Sequence, residues 1–91
     1  MNKVKGLIIF SKHALEQMEI RGASKEEVKE TIYEGEESPA KKGRVSFIKN
    51  FPFEAKWKGQ YYSTKQLRVI VKKESGRYVV ITVFTFYFGG E

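Results

Sequence analysis

The sequence predicts an α+β fold in which two N-terminal helices pack on one face of a twisted antiparallel sheet of about four to five strands. Three observations support this prediction. Helix start and stop signals occur in the first third of the chain, and alternating apolar and polar residues dominate from Arg44 onward. The length of 91 residues suits one folding unit, so we expect a single domain over residues 1–91.

The first predicted elements are a short strand and a helix. Val4–Phe10 is apolar and is interpreted as a strand or a strand-like lead-in. Ser11 then suits the N-cap of a helix, since its hydroxyl can accept a hydrogen bond from a backbone N–H of the first turn. We predict the helix over Lys12–Arg21 and expect Gly22 to end it in a left-handed conformation.

A second helix is predicted over Lys25–Tyr33. Ser24 and Glu27 have the spacing of a capping box, in which each side chain binds the backbone N–H of the other residue. The next segment, Glu34–Gly43, is polar and contains both glycine and proline, so we expect a loop there.

The remainder of the chain is predicted to form strands, because its apolar residues recur with a period of two. The predicted strands are Arg44–Lys49, Phe53–Lys58, Gln60–Thr64, Gln66–Lys73 and Arg77–Phe88, although the second and third could instead form a wide loop. Arg68 and Lys72 alternate with apolar residues and should project from the face opposite the helices. The last strand is apolar on both faces, which favours a central position in the sheet.

The positive charge is concentrated in the second part of the chain. Residues 1–38 carry six lysines and arginines against eight glutamates, whereas residues 39–91 carry eleven against three. A basic surface attracts nucleic acid, an anionic membrane or an acidic protein. The alternative interpretation is a solvated exterior, rich in lysine and glutamate, that serves solubility.

Composition restricts the cofactors and the compartment. The chain has no cysteine and one histidine, which excludes disulfides and thiolate sites and leaves too few ligands for structural zinc. We therefore expect no metal and no other cofactor. Leu7–Phe10 is too short for the core of a signal peptide, and Tyr78–Phe88 is about half the length of a membrane-spanning helix. These segments favour a cytoplasmic protein that does not enter a membrane.

His13 is the only histidine and lies in the first turn of the first predicted helix. An imidazole can take or give a proton near neutral pH, so this residue is a candidate general base or acid. RNA carries its own nucleophile, the 2′-hydroxyl, and would need only proton transfer and stabilisation of phosphate charge. The alternative is that His13 caps the helix or packs at the sheet edge.

Basic residues of the predicted strands are candidates for holding phosphate, since an arginine can donate two parallel hydrogen bonds to it. These candidates are Arg44, Lys65, Arg68 and Lys72. Trp57 and Tyr62 lie among lysines, a pattern that suits base stacking. The hydroxyls of Thr82 and Tyr87 could orient a phosphate or a water. The alternatives are ordinary polar decoration of a sheet and the high β-propensity of threonine and aromatic residues.

The segment that begins at Ser11 also carries a family resemblance. It has the pattern Ser-x-His-Ala-x-x-x-Met-x-x-Arg-Gly-x-Ser, followed by Glu-Glu-Val at 26–28 and by Val-x-Thr-Val-Phe-Thr at 80–85. This pattern resembles the DUF4258 family of small bacterial and archaeal domains. The members look like relatives of RelE- and ParE-type toxins, a resemblance that implies two N-terminal helices against a twisted antiparallel sheet.

The resemblance implies a ribonuclease or a toxin-like module in which His13 is the catalytic group and Arg21 is the arginine of the motif. Family members commonly carry an arginine four residues after the histidine, where this chain has Gln17. RelE-type toxins often work with arginine, lysine and tyrosine side chains. The residues suggested on that basis are Arg44, Arg68 and Tyr87.

We therefore predict a metal-independent endoribonuclease or toxin-like protein that acts on RNA, with RNA or the ribosome as partner. The predicted catalytic residues are His13, as base or acid, with Arg21, Arg44, Arg68 and Tyr87. The predicted substrate-binding residues are Trp57, Tyr62, Lys65, Lys72 and Thr82.

Two alternatives stay open at this stage. One is a non-catalytic module that holds RNA, DNA or an acidic antitoxin on its basic sheet, which is favoured by Gln17 and by the lack of an obvious second proton-transfer group. The other is a toxin relative directed at a protein. The sequence leaves the oligomeric state open.

Overall fold

The computed structural model describes residue 4 and residues 6–90, and it has the α+β architecture that the sequence predicts. The elements in chain order are β1 (Leu7–Phe10), α1 (Lys12–Arg21), α2 (Lys25–Glu34), β2 (Glu36–Pro39), a 3₁₀ turn (Lys41–Gly43), β3 (Val45–Trp57), β4 (Gln60–Glu74) and β5 (Arg77–Phe88). The predicted strand at Val4–Phe10 includes residue 5, which lies outside the described residues.

The five strands form one sheet in the order β1-β5-β4-β3-β2. Neighbouring strands are antiparallel except for the pair at one edge, where β1 runs parallel to β5 from Leu7 opposite Arg77 to Phe10 opposite Val80. The sheet is therefore antiparallel, as predicted, in all pairs but this one. This pair is parallel because β1 lies beside β5, the last strand of the chain, rather than beside a strand adjacent to it in sequence.

Both helices begin where their capping residues predict. The Ser11 hydroxyl accepts a hydrogen bond from the Ala14 N–H at 3.0 Å, and Gly22 ends α1 with a φ of 79°. Ser24 and Glu27 form the capping box of α2, with hydrogen bonds of 3.1 and 3.0 Å. These local signals explain why the predicted helix bounds hold to within one residue, α2 ending at Glu34.

The core lies between the two helices and one face of the sheet. It consists of apolar side chains that are almost completely buried: Ala14, Met18, Val28, Ile32, Phe47, Leu67, Val69, Val71, Val80 and Val83. Each large buried side chain contributes about 1.5–3 kcal/mol relative to an exposed one. Because isolated helices of this length are marginal in water, this packing rather than helix propensity stabilises α1 and α2.

The loop predicted at 34–43 contains a strand. β2 pairs antiparallel with β3, from Glu36 opposite Ile48 to Pro39 opposite Val45. All four residues of β2 are exposed and none alternates in hydropathy, so the pattern gave no strand signal. The prediction missed β2 because only its pairing with the next strand, β3, defines it.

Two predicted pairs of short strands are single long strands. The first predicted pair, Arg44–Lys49 and Phe53–Lys58, lies in β3 except for its end residues Arg44 and Lys58, and the two segments predicted over 60–73 fall within β4. A register shift between Pro52 and Ala55, with Glu54 at a φ of 46°, marks a β-bulge that bends β3 without ending it. Local interruptions in the alternation therefore mark a bend rather than a loop.

A second bulge explains the pattern of β5. The register shifts between Ile70 and Val71, so that Ile81 is an extra residue and both Val80 and Val83 face the helices. The prediction that β5 lies inside the sheet is confirmed, since β5 has β1 on one side and β4, the middle strand, on the other. On the face away from the helices, β5 meets solvent.

The outer edge of β5 is covered by α1 where β1 stops. The Ser11 hydroxyl donates to the carbonyl of Ile81 at 3.2 Å, and Arg21 Nη1 donates to the carbonyl of Val83 at 2.7 Å. A covered edge cannot pair with another chain. This arrangement also brings the end of α1 to the rim of the open sheet face.

No helix in the described part of the chain is long and apolar enough to cross a membrane.

Candidate nucleic-acid interface

The face of the sheet that the helices leave open contains a groove of about 610 Å³, here called the helix-free groove. Its floor is formed by side chains from three strands: Ser46, Ile48, Arg68, Ile70, Thr82, Phe84 and Phe86. Its wall is formed by the segment 38–41 and by Arg44, which precedes β3. The groove therefore depends on β2 and the 3₁₀ turn, which the sequence did not reveal.

The helix-free groove is positively charged. Lys41, Arg44 and Arg68 line it, and among the described residues that line it there is no carboxylate. None of these three cations forms an ion pair with a described residue, whereas five cations elsewhere in the sheet are matched with glutamates. Uncompensated charge in a concave surface concentrates anions.

Three phenylalanines extend along the same face of β5. Phe84, Phe86 and Phe88 are 37%, 43% and 43% exposed, although rings of this size are normally buried. Because they alternate along a strand, they project on one side of the sheet. Contiguous exposed apolar surface of this kind marks a binding site more often than a bare exterior.

Two of these rings lie beside arginines. The guanidinium carbon of Arg21 is 4.9 Å from the ring centroid of Phe84, and that of Arg68 is 5.1 Å from the ring centroid of Phe86. Arg21 belongs to α1, so its side chain reaches around the edge of β5 to the open face. The result is a row in which aromatic rings and cations alternate.

Hydrogen bonds to the backbone carbonyl of Arg21 also fix the position of this residue. Thr85 Oγ1 and the Tyr87 hydroxyl both donate to the Arg21 carbonyl, at 2.9 and 2.8 Å. Burial raises the pKa of the Tyr87 hydroxyl; the hydrogen bond with Thr85 lowers it, and the negative charge of Glu27 raises it further. Tyr87 therefore stays protonated at neutral pH and remains a donor.

His13 is solvent-exposed on α1. It lies one helical turn before Gln17, and Arg21 follows one turn later on a nearby stripe of the same helix. The imidazole is not among the residues that line the helix-free groove. The structure thus brings Arg44, Arg68 and Thr82 together in the groove, places Arg21 against Phe84 at its rim, and leaves His13 outside the lining.

Four other predicted site residues lie elsewhere. Trp57 and Tyr62 pack with Tyr87 and Phe53 in an aromatic cluster next to the Gly22 turn, where the rings of Trp57 and Tyr87 stack at 4.9 Å. Lys65 is buried beside it on the helix-covered side.

The Lys65 ammonium donates to the Gly22 carbonyl and, at 2.8 Å, to a Glu27 carboxylate oxygen, and only 5% of the residue is exposed. This cation is therefore already matched inside the molecule. Lys72 is exposed, as predicted, but lies 3.5 Å from Glu74 in an ion pair.

Sequence reasoning missed Lys41, Phe84, Phe86 and Phe88 as site residues. The signal for the rings was the alternation of phenylalanine in the last strand, which was interpreted as the mark of a doubly buried strand. No local signal could have assigned Lys41, since only the pairing of β2 with β3 brings the 3₁₀ turn to the groove.

The fold and the groove define a small α+β domain with one basic, aromatic sheet face. The family model "Domain of unknown function (DUF4258)" matches residues 10–85, and the chain belongs to this family. No curated protein and no solved structure matches the chain. The family match covers α1, α2 and all the residues that line the groove except Phe86.

Proposed function

We propose that this domain binds RNA through the helix-free groove. The observation that carries the proposal is the placement of Lys41, Arg44 and Arg68, none of them ion-paired among the described residues, beside exposed phenylalanine rings on one face. Phosphate contacts dominate the affinity of proteins for nucleic acid, and aromatic rings add stacking with bases. A groove with both features suits a nucleic-acid strand better than a purely apolar or purely anionic ligand.

The spacing of the two arginines supports a chain of phosphates rather than a single anion. Arg68 lies opposite Ile48, and Arg44 lies four residues before Ile48 in extended backbone. Strand geometry then separates the two Cα atoms by roughly 14 Å. Each arginine can therefore hold its own phosphate, while the hydroxyls of Ser46 and Thr82 lie on the floor between the strands.

Affinity for a fluorescently labelled single-stranded RNA, measured at several salt concentrations, tests the proposal. Arg44→Gln and Arg68→Gln should each weaken binding and lower the slope of log affinity against log salt by about 1, because each removes one phosphate contact. Lys29→Gln is the matched control, since Lys29 is an exposed cation on α2. Binding that does not respond to salt, or equal effects of all three variants, would refute the proposal.

RNA cleavage is a second candidate, favoured by the exposed His13 on the helix whose Arg21 reaches the open face. In this reaction the imidazole takes the proton of a 2′-hydroxyl, and the oxygen attacks the adjacent phosphorus. The bond from phosphorus to the 5′-oxygen breaks, and the leaving oxygen takes a proton from water. Arg21 would stabilise the negative charge on the phosphorane.

Cleavage of labelled RNA in EDTA tests this candidate. Wild type should cut RNA but not a strand with 2′-deoxyribose, and His13→Ala should lose at least about a hundredfold in rate, the low end of the contribution of a general base. His13→Ala should leave affinity for the uncleavable strand unchanged. Equal rates in wild type and variant, or no cleavage by either, would leave RNA binding alone.

The proposal also includes kinship with RelE- and ParE-type toxins, an acidic antitoxin as partner and action in the cytoplasm. The support is the net charge of +6 and its concentration in the second part of the chain. Induced expression in bacteria should arrest growth, with loss of transcripts before any change in DNA topology. A change in topology first would indicate a protein target instead.

A further inference from the structure

We infer that the helix-free groove takes unpaired RNA with a footprint of about three nucleotides, one base on each of Phe84, Phe86 and Phe88. This inference rests on the proposed function and makes it more specific. It assigns these three rings, here called the phenylalanine row, a role distinct from that of the arginines. The arginines hold phosphates, and the rings select strands whose bases are unpaired.

The spacing and exposure of the rings carry the first step. Alternate residues of a strand are about 7 Å apart, so the row presents three rings at regular intervals along the strand. Each ring has more than a third of its surface exposed. In a duplex the bases are stacked on each other and hide their faces, so only an unpaired strand can offer bases to these rings.

The arginines beside the rings carry the second step. Arg21 lies against Phe84 and Arg68 lies against Phe86, with guanidinium carbons within about 5 Å of the ring centroids. A base that stacks in this row therefore meets a cation at the same position. An alternating row of rings and guanidinium groups is complementary to a ligand in which flat bases alternate with phosphates.

Charge argues against a second copy of the chain as the occupant. A symmetric dimer through this face would place the same patch of two molecules against each other. The cations Arg21, Arg44 and Arg68 of one copy would then face a patch with the same positive charge, and no described residue lining the groove carries a negative charge to offset them. The face is suited to an anionic partner.

Fluorescence anisotropy with oligouridylates of one to six nucleotides tests the inference, alongside a twelve-base-pair RNA duplex. Affinity should rise steeply up to three nucleotides and little thereafter, and the duplex should bind at least tenfold more weakly. Phe86→Leu and Phe88→Leu should each weaken binding of the trinucleotide about tenfold, because stacking is lost while apolar bulk is kept. Tyr33→Leu, an exposed aromatic residue on α2, is the matched control.

Several outcomes would overturn the inference. If the duplex binds as well as the single strand, or if the phenylalanine variants behave like Tyr33→Leu while Arg44→Gln still weakens binding, the groove grips phosphates only. In that case RNA binding survives and the three-base footprint fails. If no RNA binds, both proposals fail. A dimer that dissociates on Phe86→Leu, seen by sedimentation, would identify a second copy as the occupant. Thermal melting of each variant checks that it is folded.

Discussion

The two ends of Arg21 contact the same strand in different ways. Its carbonyl accepts hydrogen bonds from Thr85 and Tyr87, and its guanidinium donates to the carbonyl of Val83. The backbone bonds hold the end of α1, and the side-chain bond aims the charge at Phe84. The charge at the groove rim is therefore positioned by residues that lie on the opposite, helix-covered side of the sheet.

Tyr87→Phe should show this dependence through pH. Because burial raises the pKa of the hydroxyl, the folded state favours the protonated form, and the stabilisation is fully present below the ordinary tyrosine pKa of about 10. The difference in free energy of unfolding between wild type and variant should be about 1 kcal/mol at pH 7. It should shrink as the pH rises above 10.

Urea denaturation at several pH values between 7 and 11 measures this difference. Titration of the other tyrosines and of the lysines is common to both proteins and cancels. A difference that stays constant to pH 11, or that grows, would contradict a raised pKa of the Tyr87 hydroxyl in the folded state.

Lys65 was predicted from sequence to bind substrate, and its burial allows that prediction to be separated from a structural role. Lys65→Met keeps the apolar stem but removes the donor to the Gly22 carbonyl and the ion pair with Glu27. We expect the free energy of unfolding to fall by about 2 kcal/mol, because a buried carbonyl loses a charged donor.

The salt dependence of RNA affinity should be unchanged in Lys65→Met, since the ammonium is engaged inside the molecule. Lys56→Met, at an exposed lysine of β3, is the control for the loss of one positive charge. A lowered salt slope without loss of stability would show that Lys65 binds phosphate after all.

At the scale of elements, the turn between α1 and α2 depends on the absence of a side chain. Gly22 has a φ of 79°, and a Cβ at this position would lie 2.8 Å from ring atoms of Trp57 and from the Tyr87 hydroxyl. Gly22→Ala should therefore lower the free energy of unfolding by at least about 2 kcal/mol, from backbone strain together with displacement of the stacked rings.

Gly76→Ala is a matched control for this prediction. Gly76 has a φ of 71°, but nothing lies within 4 Å of a Cβ placed there. Gly76→Ala should lose stability from backbone strain alone. The difference between the two variants in the free energy of unfolding, measured by urea denaturation, therefore reports the close packing of Gly22 against the aromatic cluster. Equal losses in the two variants would contradict the close approach at Gly22.

The elements also show which parts of the fold can be predicted from sequence. The helices were placed to within one residue because their caps, Ser11, Ser24 and Gly22, act within a few positions of the chain. β2 was missed because its exposed residues carry no alternation of apolar and polar side chains, and the parallel pairing of β1 was missed because its partner β5 lies at the other end of the chain. The single extra residue Ile81 breaks the period of two in β5, so that Val80 and Val83 share the helix-covered face.

The candidate site, like the fold, could be predicted from the sequence only in part. Arg44 and Arg68 were identified by residue type and by strand alternation, both of which are local. The grouping of the site was not predictable, since burial of Lys65 and exposure of Phe86 are decided by which sheet face the helices cover. Sequence thus indicated the chemistry of the site, whereas the packing of α1 and α2 selected its members.

At the scale of the whole molecule, charge and shape divide along the sheet. The helices cover one face and carry most of the glutamates of the first part of the chain, while the other face presents the groove and its unmatched cations. A ligand with negative charge is thus guided toward one side of the molecule. This separation explains how a domain of 91 residues can keep both a closed core and an open binding face.

The parallel pairing of β1 with β5 has a consequence for biosynthesis. β5 contributes Val80 and Val83 to the core and pairs with β1. It also carries all three rings of the phenylalanine row. A nascent chain on the ribosome cannot close its interior until this strand has left the exit tunnel, and contacts across such a sequence separation form slowly. We expect stalled chains that end before Arg77 to be digested rapidly by protease, and protection of such chains would contradict this order of events.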